Sequence, residues 1–279
     1  MGVFAHRPAL LQVNYLGFPG TLGAEYMDYI LADAEVIPAG DEQFYSEKVV
    51  RLPGSYQIND GTRSRPAPGT RAAHGLKETD FVFCHFNYSY KITPEMFALW
   101  LRLLEQVPSS VLWLLESNAL FAANLRGEIA RAGLDPMRLV FAREMEYSAH
   151  VSRLALGDLF LDSLPYNAHT TASDALWAGL PLITCRGKAF AGRVAASLLR
   201  AAGLPELITD NLDEYESLAL KLAGDRALLQ SYRDRLTRDP VRLPLFDTVR
   251  TTRQIEAAYE QMMARWGREL MPAGFSVAE

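Results

Sequence analysis

Asn167-Ala168-His169-Thr170-Thr171-Ala172-Ser173-Asp174-Ala175-Leu176-Trp177-Ala178-Gly179-Leu180-Pro181 comes shortly after the apolar run Leu159-Phe160-Leu161-Asp162. The apolar run reads as a buried strand. The small hydroxyl residues read as a loop, and the sequence from Thr171 onward as a helix that stops at Gly179-Leu180-Pro181. A strand, a loop and a helix start in this order bring free backbone N–H groups to the positive end of a helix dipole, a setting that favours an anion. Thr170 and Thr171 add hydroxyl donors, His169 a ring donor, and Asp174 an acceptor suited to sugar hydroxyls. A diphosphate beside a ribose fits these groups best. Taken singly, each residue also has a plainer reading: a cap histidine, two N-cap threonines, a first-turn acid.

The strand-then-helix order repeats on both sides of this stretch. Apolar runs at 81–86, 111–115, 139–142, 159–162 and 181–184 predict strands. Helical spacing predicts helices starting at 93–94 and 171, and over 120–132, 147–156, 191–202, 212–223, 227–236 and 248–266. The first has Thr93 as cap and Pro94 in its first turn. Alternation of this kind predicts an α/β fold, a Rossmann-like doubly wound parallel sheet with ligands beyond the carboxyl ends of its strands. Continuous apolar strands agree, because both faces of such a sheet are covered. The first part is less regular. It predicts a strand at 10–16, a Gly/Pro loop at 17–23, a helix at 24–31, a short strand at 33–38 and an extended piece at 45–52. From 59 to 74 the chain is rich in Gly, Pro, Arg, Thr and Ala, which reads as a linker or mobile loop. Two parts follow, 1–75 and 76–279.

The chain has 279 residues, 49% apolar and 22% charged, which is ordinary for a globular protein. A formal net charge of -5 argues against a general binder of nucleic acid or membrane surfaces. The two cysteines, Cys84 and Cys185, lie in or beside apolar runs and read as buried thiols, neither disulfide nor metal site. The first residues lack the charged-then-apolar order of a signal peptide, and no apolar run is long enough to span a bilayer. A cytoplasmic setting is the expectation.

Three further groups fall beyond strand ends. Lys91 follows the strand at 81–86, where an ammonium can neutralise a leaving phosphate; alone, it reads as a solvated loop lysine. His150 and Arg153, three apart on a predicted helix, share a face and could hold a base and ribose. A surface pair on an amphipathic helix is the plainer reading. The loop from Gly17 to Gly23 could cradle a ligand, a weak signal by itself. Trp100, Trp113 and Trp177 read as core. There is no Asp-x-Asp pair and no Cys/His metal spacing, so no metal is expected, and cationic side chains with a helix dipole would take its place.

These features resemble the O-linked N-acetylglucosamine transferase family, in the C-terminal part of its catalytic region. The landmarks are Gln12 to Gly23, Met27-Asp28-Tyr29-Ile30, Tyr45-Ser46-Glu47-Lys48, Phe86-Asn87, Tyr90-Lys91-Ile92, Val107 to Leu115, His169 to Gly179, Gly192 to Ser197 and Pro244-Leu245-Phe246-Asp247. They run through most of the chain in the family's order. The resemblance implies a two-lobed GT-B glycosyltransferase, this chain holding the C-terminal lobe and a remnant of the N-terminal one. It implies metal-independent transfer of N-acetylglucosamine, or a related sugar, from a UDP-sugar to Ser or Thr of a protein acceptor. By the same resemblance Lys91 contacts the diphosphate, His150 and Arg153 lie on the uridine side, and His169, Thr170 and Thr171 form the pyrophosphate loop. Asp174 then binds ribose, and Gly17 and Pro19 face the sugar. The family's repeats and most of its first catalytic lobe have no counterpart in this sequence. A UDP-sugar-binding module without catalysis, or a fragment completed by a separate lobe or repeat domain, is therefore the alternative expectation. Tyr88, Tyr147, Tyr166 and Ala168 stand where the family usually carries other residues.

Overall fold

The computed structural model describes residues 2–64 and 67–278. A one-turn helix, α1 (Gly2–Ala5), precedes three short strands, β1 (Val13–Asn14), β2 (Tyr29–Ala32) and β3 (Lys48–Arg51). Regular alternation follows: β4 (Phe81–His85), α2 (Pro94–Gln106), β5 (Ser110–Leu115), α3 (Ala119–Arg131), β6 (Leu139–Ala142), α4 (Tyr147–Leu154), β7 (Leu159–Leu161), α5 (Thr170–Trp177), β8 (Leu182–Cys185), α6 (Val194–Ala201) and β9 (Ile208–Thr209). Helices α7 (Leu212–Gly224), α8 (Arg226–Arg238) and α9 (Thr248–Trp266) come next, then a last strand, β10 (Phe275–Ser276).

The larger sheet has the order β6-β5-β4-β7-β8-β9, with every neighbouring pair parallel. The chain winds from β4 outward to β6, then returns to the other side of β4 through β7. This is the doubly wound arrangement expected from the apolar runs, and its direction reverses between β4 and β7. A crevice opens at such a reversal beyond the carboxyl ends of the two strands. All five residues of β4 and all three of β7 are buried. Trp100, Trp113 and Trp177 sit in the core, as their spacing predicts.

Local sequence fixes the ends of the helices that frame the crevice. Thr93 caps α2 by accepting from the Met96 N–H, with Pro94 in the first turn. Helix α5 stops where expected, at Gly179. Its φ of +79° suits glycine, and its N–H bonds the Leu176 carbonyl while that of Leu180 bonds Ala175. A Cβ here would also lie 2.4 Å from Thr237 Cγ2 on α8.

The smaller sheet has the order β1-β2-β3-β10, again parallel. Central β2 is buried on both faces. Ile30 and Ala32 join the main core, whereas Tyr29 and Leu31 join a second cluster with Val50, Leu52, Ala258 and Met262. Residues 24–31, expected as a helix, are therefore a turn and the start of a strand. A short apolar run matches both periods, and here the period is two. The strand expected at 33–38 is a turn, because the Asp33 carboxylate accepts from the N–H groups of Glu35 and Val36. The expected strand at 10–16 pairs only over Val13–Asn14. The expected division at 75/76 also needs correction. Strand β10 pairs with β3, and α9 packs Ala258 and Met262 on the smaller sheet, so the C-terminal segment returns to the first lobe. Two-residue strands such as β9 and β10 are too short for any periodic signal.

Candidate active site

The crevice between β4 and β7 holds a cleft of 580 Å³. Lys91, His150, Arg153, His169, Thr170, Thr171 and Asp174 all line it. They come from three separate stretches of chain, each beyond the carboxyl end of a strand.

Lys91 ends a short turn after β4 and is 8% exposed. Its Nζ donates to the Asn167 carbonyl at 2.7 Å and lies 4.1 Å from the centroid of the Tyr166 ring. Burial pulls its pKa down to about 8, and the nearby Asp162 opposes that fall. Asp162, just past β7, is fully buried. Its Oδ1 accepts from the Ala168 N–H at 2.6 Å and its Oδ2 from Thr184 Oγ1 at 2.6 Å. Burial pushes this carboxyl up to about 7, against those bonds and the charge of Lys91. Asp162 thus ties the 163–168 turn to β8 beneath Lys91.

His169 is the N-cap residue of α5 yet makes no side-chain cap bond. The first turn of α5 therefore meets the cleft without a cap, the condition for anion binding at a helix start. The ring itself behaves differently from expectation. Its Nε2 lies 3.1 Å from the Ala191 carbonyl, which can only accept, so the ring proton is directed there and away from the cleft. Burial holds its pKa down to about 4, so the ring is neutral. It stacks on Tyr166 at 4.8 Å. The donors toward an anion are then Lys91, the helix N–H groups and Thr170. The Thr171 hydroxyl donates to Asn87 Oδ1.

His150 and Arg153 share a face of α4 and bond each other: Arg153 Nε and Nη2 lie 3.1 and 2.7 Å from His150 Nδ1. A nitrogen that accepts carries no proton, so the His150 proton sits on Nε2 and makes that atom a donor. Burial, then the Arg153 charge, lowers its pKa to about 4. Arg153 is 3% exposed, donates to the Arg143 carbonyl at 2.6 Å, and lies over the Phe86 ring.

Asp174 reaches the cleft wall from α5. Its Oδ1 accepts from Arg63 at 2.7 Å and from the Tyr147 hydroxyl at 2.8 Å. Burial raises its pKa while Tyr147 and Arg63 lower it. Gly17 and Pro19 line a neighbouring cavity of 440 Å³ against the smaller sheet. The two cavities share Tyr166, His169 and Thr170 as a common wall. The structure thus places all nine expected residues on two adjoining cavities. Sequence reasoning missed Arg63, which lies in the stretch read as a linker. That stretch is pinned at its start: Asn59 accepts from Ser173 Oγ on α5 at 2.6 Å and donates to the Leu245 carbonyl. Gly61 packs so tightly on the Phe246 carbonyl that a Cβ would lie 2.3 Å from it. Among the described residues no cluster of acidic, His or Cys side chains could hold a metal ion.

The sequence profile of glycosyl transferase family 41 matches residues 1–67 and 62–255. The chain belongs to glycosyl transferase family 41. It is 39% identical over 287 residues to the probable UDP-N-acetylglucosamine–peptide N-acetylglucosaminyltransferase SEC of Arabidopsis thaliana, covering 99% of this chain and 29% of that protein. It is 33% identical to the tomato (Solanum lycopersicum) protein SPINDLY, named as the same kind of probable transferase, covering 95% of this chain and 29% of that one. Among solved structures, a mutant of the Thermobaculum terrenum O-GlcNAc transferase superposes with a TM-score of 0.83 at 32% identity, covering 93% of this chain and 49% of that one. Anabaena HepE, solved with UDP and glucose, shares the fold at 14% identity and a TM-score of 0.59, over 84% of this chain and 64% of that one. The fold is GT-B, with the cleft between its two sheets. The chain spans less than a third of the length of these curated relatives.

Proposed function

We propose that this chain binds a UDP-sugar in the 580 Å³ cleft and transfers N-acetylglucosamine, or a related sugar, to a Ser or Thr hydroxyl of a protein acceptor. One observation carries the reading: a buried lysine and an uncapped helix start, brought from β4 and β7, meet at the reversal point of a doubly wound sheet. The diphosphate sits against Lys91 and the start of α5, the uracil faces the His150 Nε2 donor, and the ribose faces Asp174. The sugar extends into the cavity lined by Gly17 and Pro19.

The chemistry is displacement at the anomeric carbon. The acceptor hydroxyl oxygen forms the new bond as the bond to the β-phosphate oxygen breaks; the electron pair leaves with UDP, and the hydroxyl proton passes to a diphosphate oxygen or to water. Lys91 and the helix N–H groups stabilise that charge as it develops, in a water-poor site where fixed donors are most effective. No metal takes part in this reading, since cationic and dipolar groups supply the charge. A cytoplasmic location belongs to the same reading, supported by two buried free thiols.

Calorimetric titration with UDP, run beside a sugar-transfer assay on a Ser/Thr peptide, tests the proposal. Saturable UDP binding with transfer supports it, and no UDP binding refutes it. A binding module without transfer is the second reading, favoured by the small first sheet, whose strands are only two to four residues long. UDP binding with no transfer selects that reading.

A further inference from the structure

Arg63 borders the cleft through its ion pair with Asp174, and neither the motif nor the chemistry above uses it. It comes from the irregular segment between the sheets and reaches α5, 111 residues away in sequence. Its Nη1 lies 2.7 Å from Asp174 Oδ1 and 3.2 Å from the Tyr147 hydroxyl, and its Nε donates to the Asp60 carbonyl at 2.9 Å. The guanidinium lies 4.9 Å from the centroid of the Trp177 ring and 5.5 Å from that of Phe246. The side chain is 13% exposed. It is therefore held from three sides: by a carbonyl behind it, two aromatic rings across its face and a carboxylate in front. Such a cation is a fixed part of the wall of the neighbouring 440 Å³ cavity, behind Asp174.

Both of its partners at Asp174 use the same oxygen. Tyr147 and Arg63 meet on Oδ1, which fixes the plane of the carboxylate and leaves Oδ2 out of both bonds. A carboxylate with one oxygen saturated and the other open is set to accept from vicinal hydroxyls. We propose that Arg63 is a positioning residue: together with Tyr147 it orients Asp174 toward the ribose hydroxyls of the bound nucleotide, so the linker between the sheets sets ribose recognition. This role rests on the nucleotide reading of the cleft.

The test compares UDP with 2′,3′-dideoxy-UDP by calorimetry, in the parent chain and in Arg63→Met. Methionine keeps an apolar stem against Trp177 and Phe246 and removes the charge and the fork. The parent should prefer UDP over the dideoxy nucleotide by about tenfold, which corresponds to about 1.4 kcal/mol. Arg63→Met should lose most of that preference by weakening UDP alone, with dideoxy-UDP changed less than about twofold. Arg63→Lys, which keeps charge without the planar fork, should fall between the two. It carries the test alone if Arg63→Met does not fold. An unchanged preference in the variant that folds refutes the role. Equal weakening of both nucleotides also refutes it, since Arg63 would then act on the phosphates or on the cleft as a whole. A parent that binds neither nucleotide refutes the nucleotide reading itself, and this role with it.

Discussion

Lys91 offers a quantitative handle on the cleft. Its ammonium is buried enough that its pKa lies at about 8, well below an ordinary lysine. A diphosphate binds the charged form in preference to the neutral one, so the cation fraction of the free protein sets the apparent affinity. A pKa of 8 makes that fraction about nine-tenths at pH 7 and about one-tenth at pH 9. The sign follows directly: the favourable charge is present below pH 8 and is lost as the pH rises through it. The dissociation constant for UDP should therefore weaken about tenfold between pH 7 and pH 9. His85, His150 and His169 all lie near 4 and stay neutral throughout this window, while Asp162, at about 7, gains negative charge across its lower half, a change that Lys91→Met carries as well. The second ionisation of a phosphate is near 6, largely complete at its lower edge. Isothermal titration at three pH values measures the effect directly. Lys91→Met is the control, because it carries any change due to the nucleotide's own ionisation but not the lysine's. Lys91→Arg should bind with little pH dependence beyond that control, since a guanidinium stays protonated. A parent whose pH slope equals that of Lys91→Met would refute the placing of this ammonium against the diphosphate.

Three further outcomes are expected. Gly179→Ala should cost about 2 kcal/mol of folding stability in urea titration, because alanine meets both a left-handed backbone and Thr237; a shift within about 0.5 kcal/mol would contradict this. His150→Phe keeps a ring against Phe86 but removes the Nε2 donor, and should weaken UDP by about tenfold in the same calorimetric assay. Unchanged affinity would remove His150 from the uridine side. Asp33→Asn should destabilise the fold by about 3 kcal/mol in chemical unfolding, since the carboxylate accepts from four donors: the N–H groups of Glu35, Val36 and Tyr56 and the Ser197 hydroxyl. Stability equal to the parent's would show that this buried carboxylate does not join the lobes.

The larger sheet was legible in the sequence because its strands are apolar on both faces and its helices carry caps, as at Thr93-Pro94 and Gly179. Each signal is local, and each is independent of the others. Residues 24–38 were misread for a physical reason. Met27, Tyr29, Ile30 and Leu31 satisfy a helical and an extended pattern alike, and only pairing with β1 and β3 decides between them. The lining of the candidate site was legible where a side chain followed a strand within ten residues, as Lys91 and Thr170 do. Arg63 had no such signal. Its role comes from contact with Asp174, Trp177 and Phe246, all more than 100 residues away along the chain. His169 shows a subtler limit: its presence at the turn was readable, but the direction of its proton depends on the Ala191 carbonyl.

In the proposed reading Lys91, rather than Arg63 or Arg153, meets the phosphate, and the charges of the cleft favour that choice. Arg63 is matched to the Asp174 carboxylate, and exchanging that partner for a phosphate would leave a buried acid uncompensated. Arg153 is held by His150 and by the Arg143 carbonyl, and its guanidinium lies over the Phe86 ring. Lys91 is different. Its hydrogen-bond partner is the neutral Asn167 carbonyl, and the acid beneath it, Asp162, already accepts from Ala168 and Thr184. Moving from a carbonyl to a phosphate oxygen gives up one neutral hydrogen bond, worth about 1 kcal/mol net, for a charge-assisted one of about 1.5–3 kcal/mol. The exchange is favourable, and the negative charge on Asp162 opposes the loss of the ammonium's proton. A lysine set this way responds to negative charge as it appears, which is what a departing nucleoside diphosphate requires.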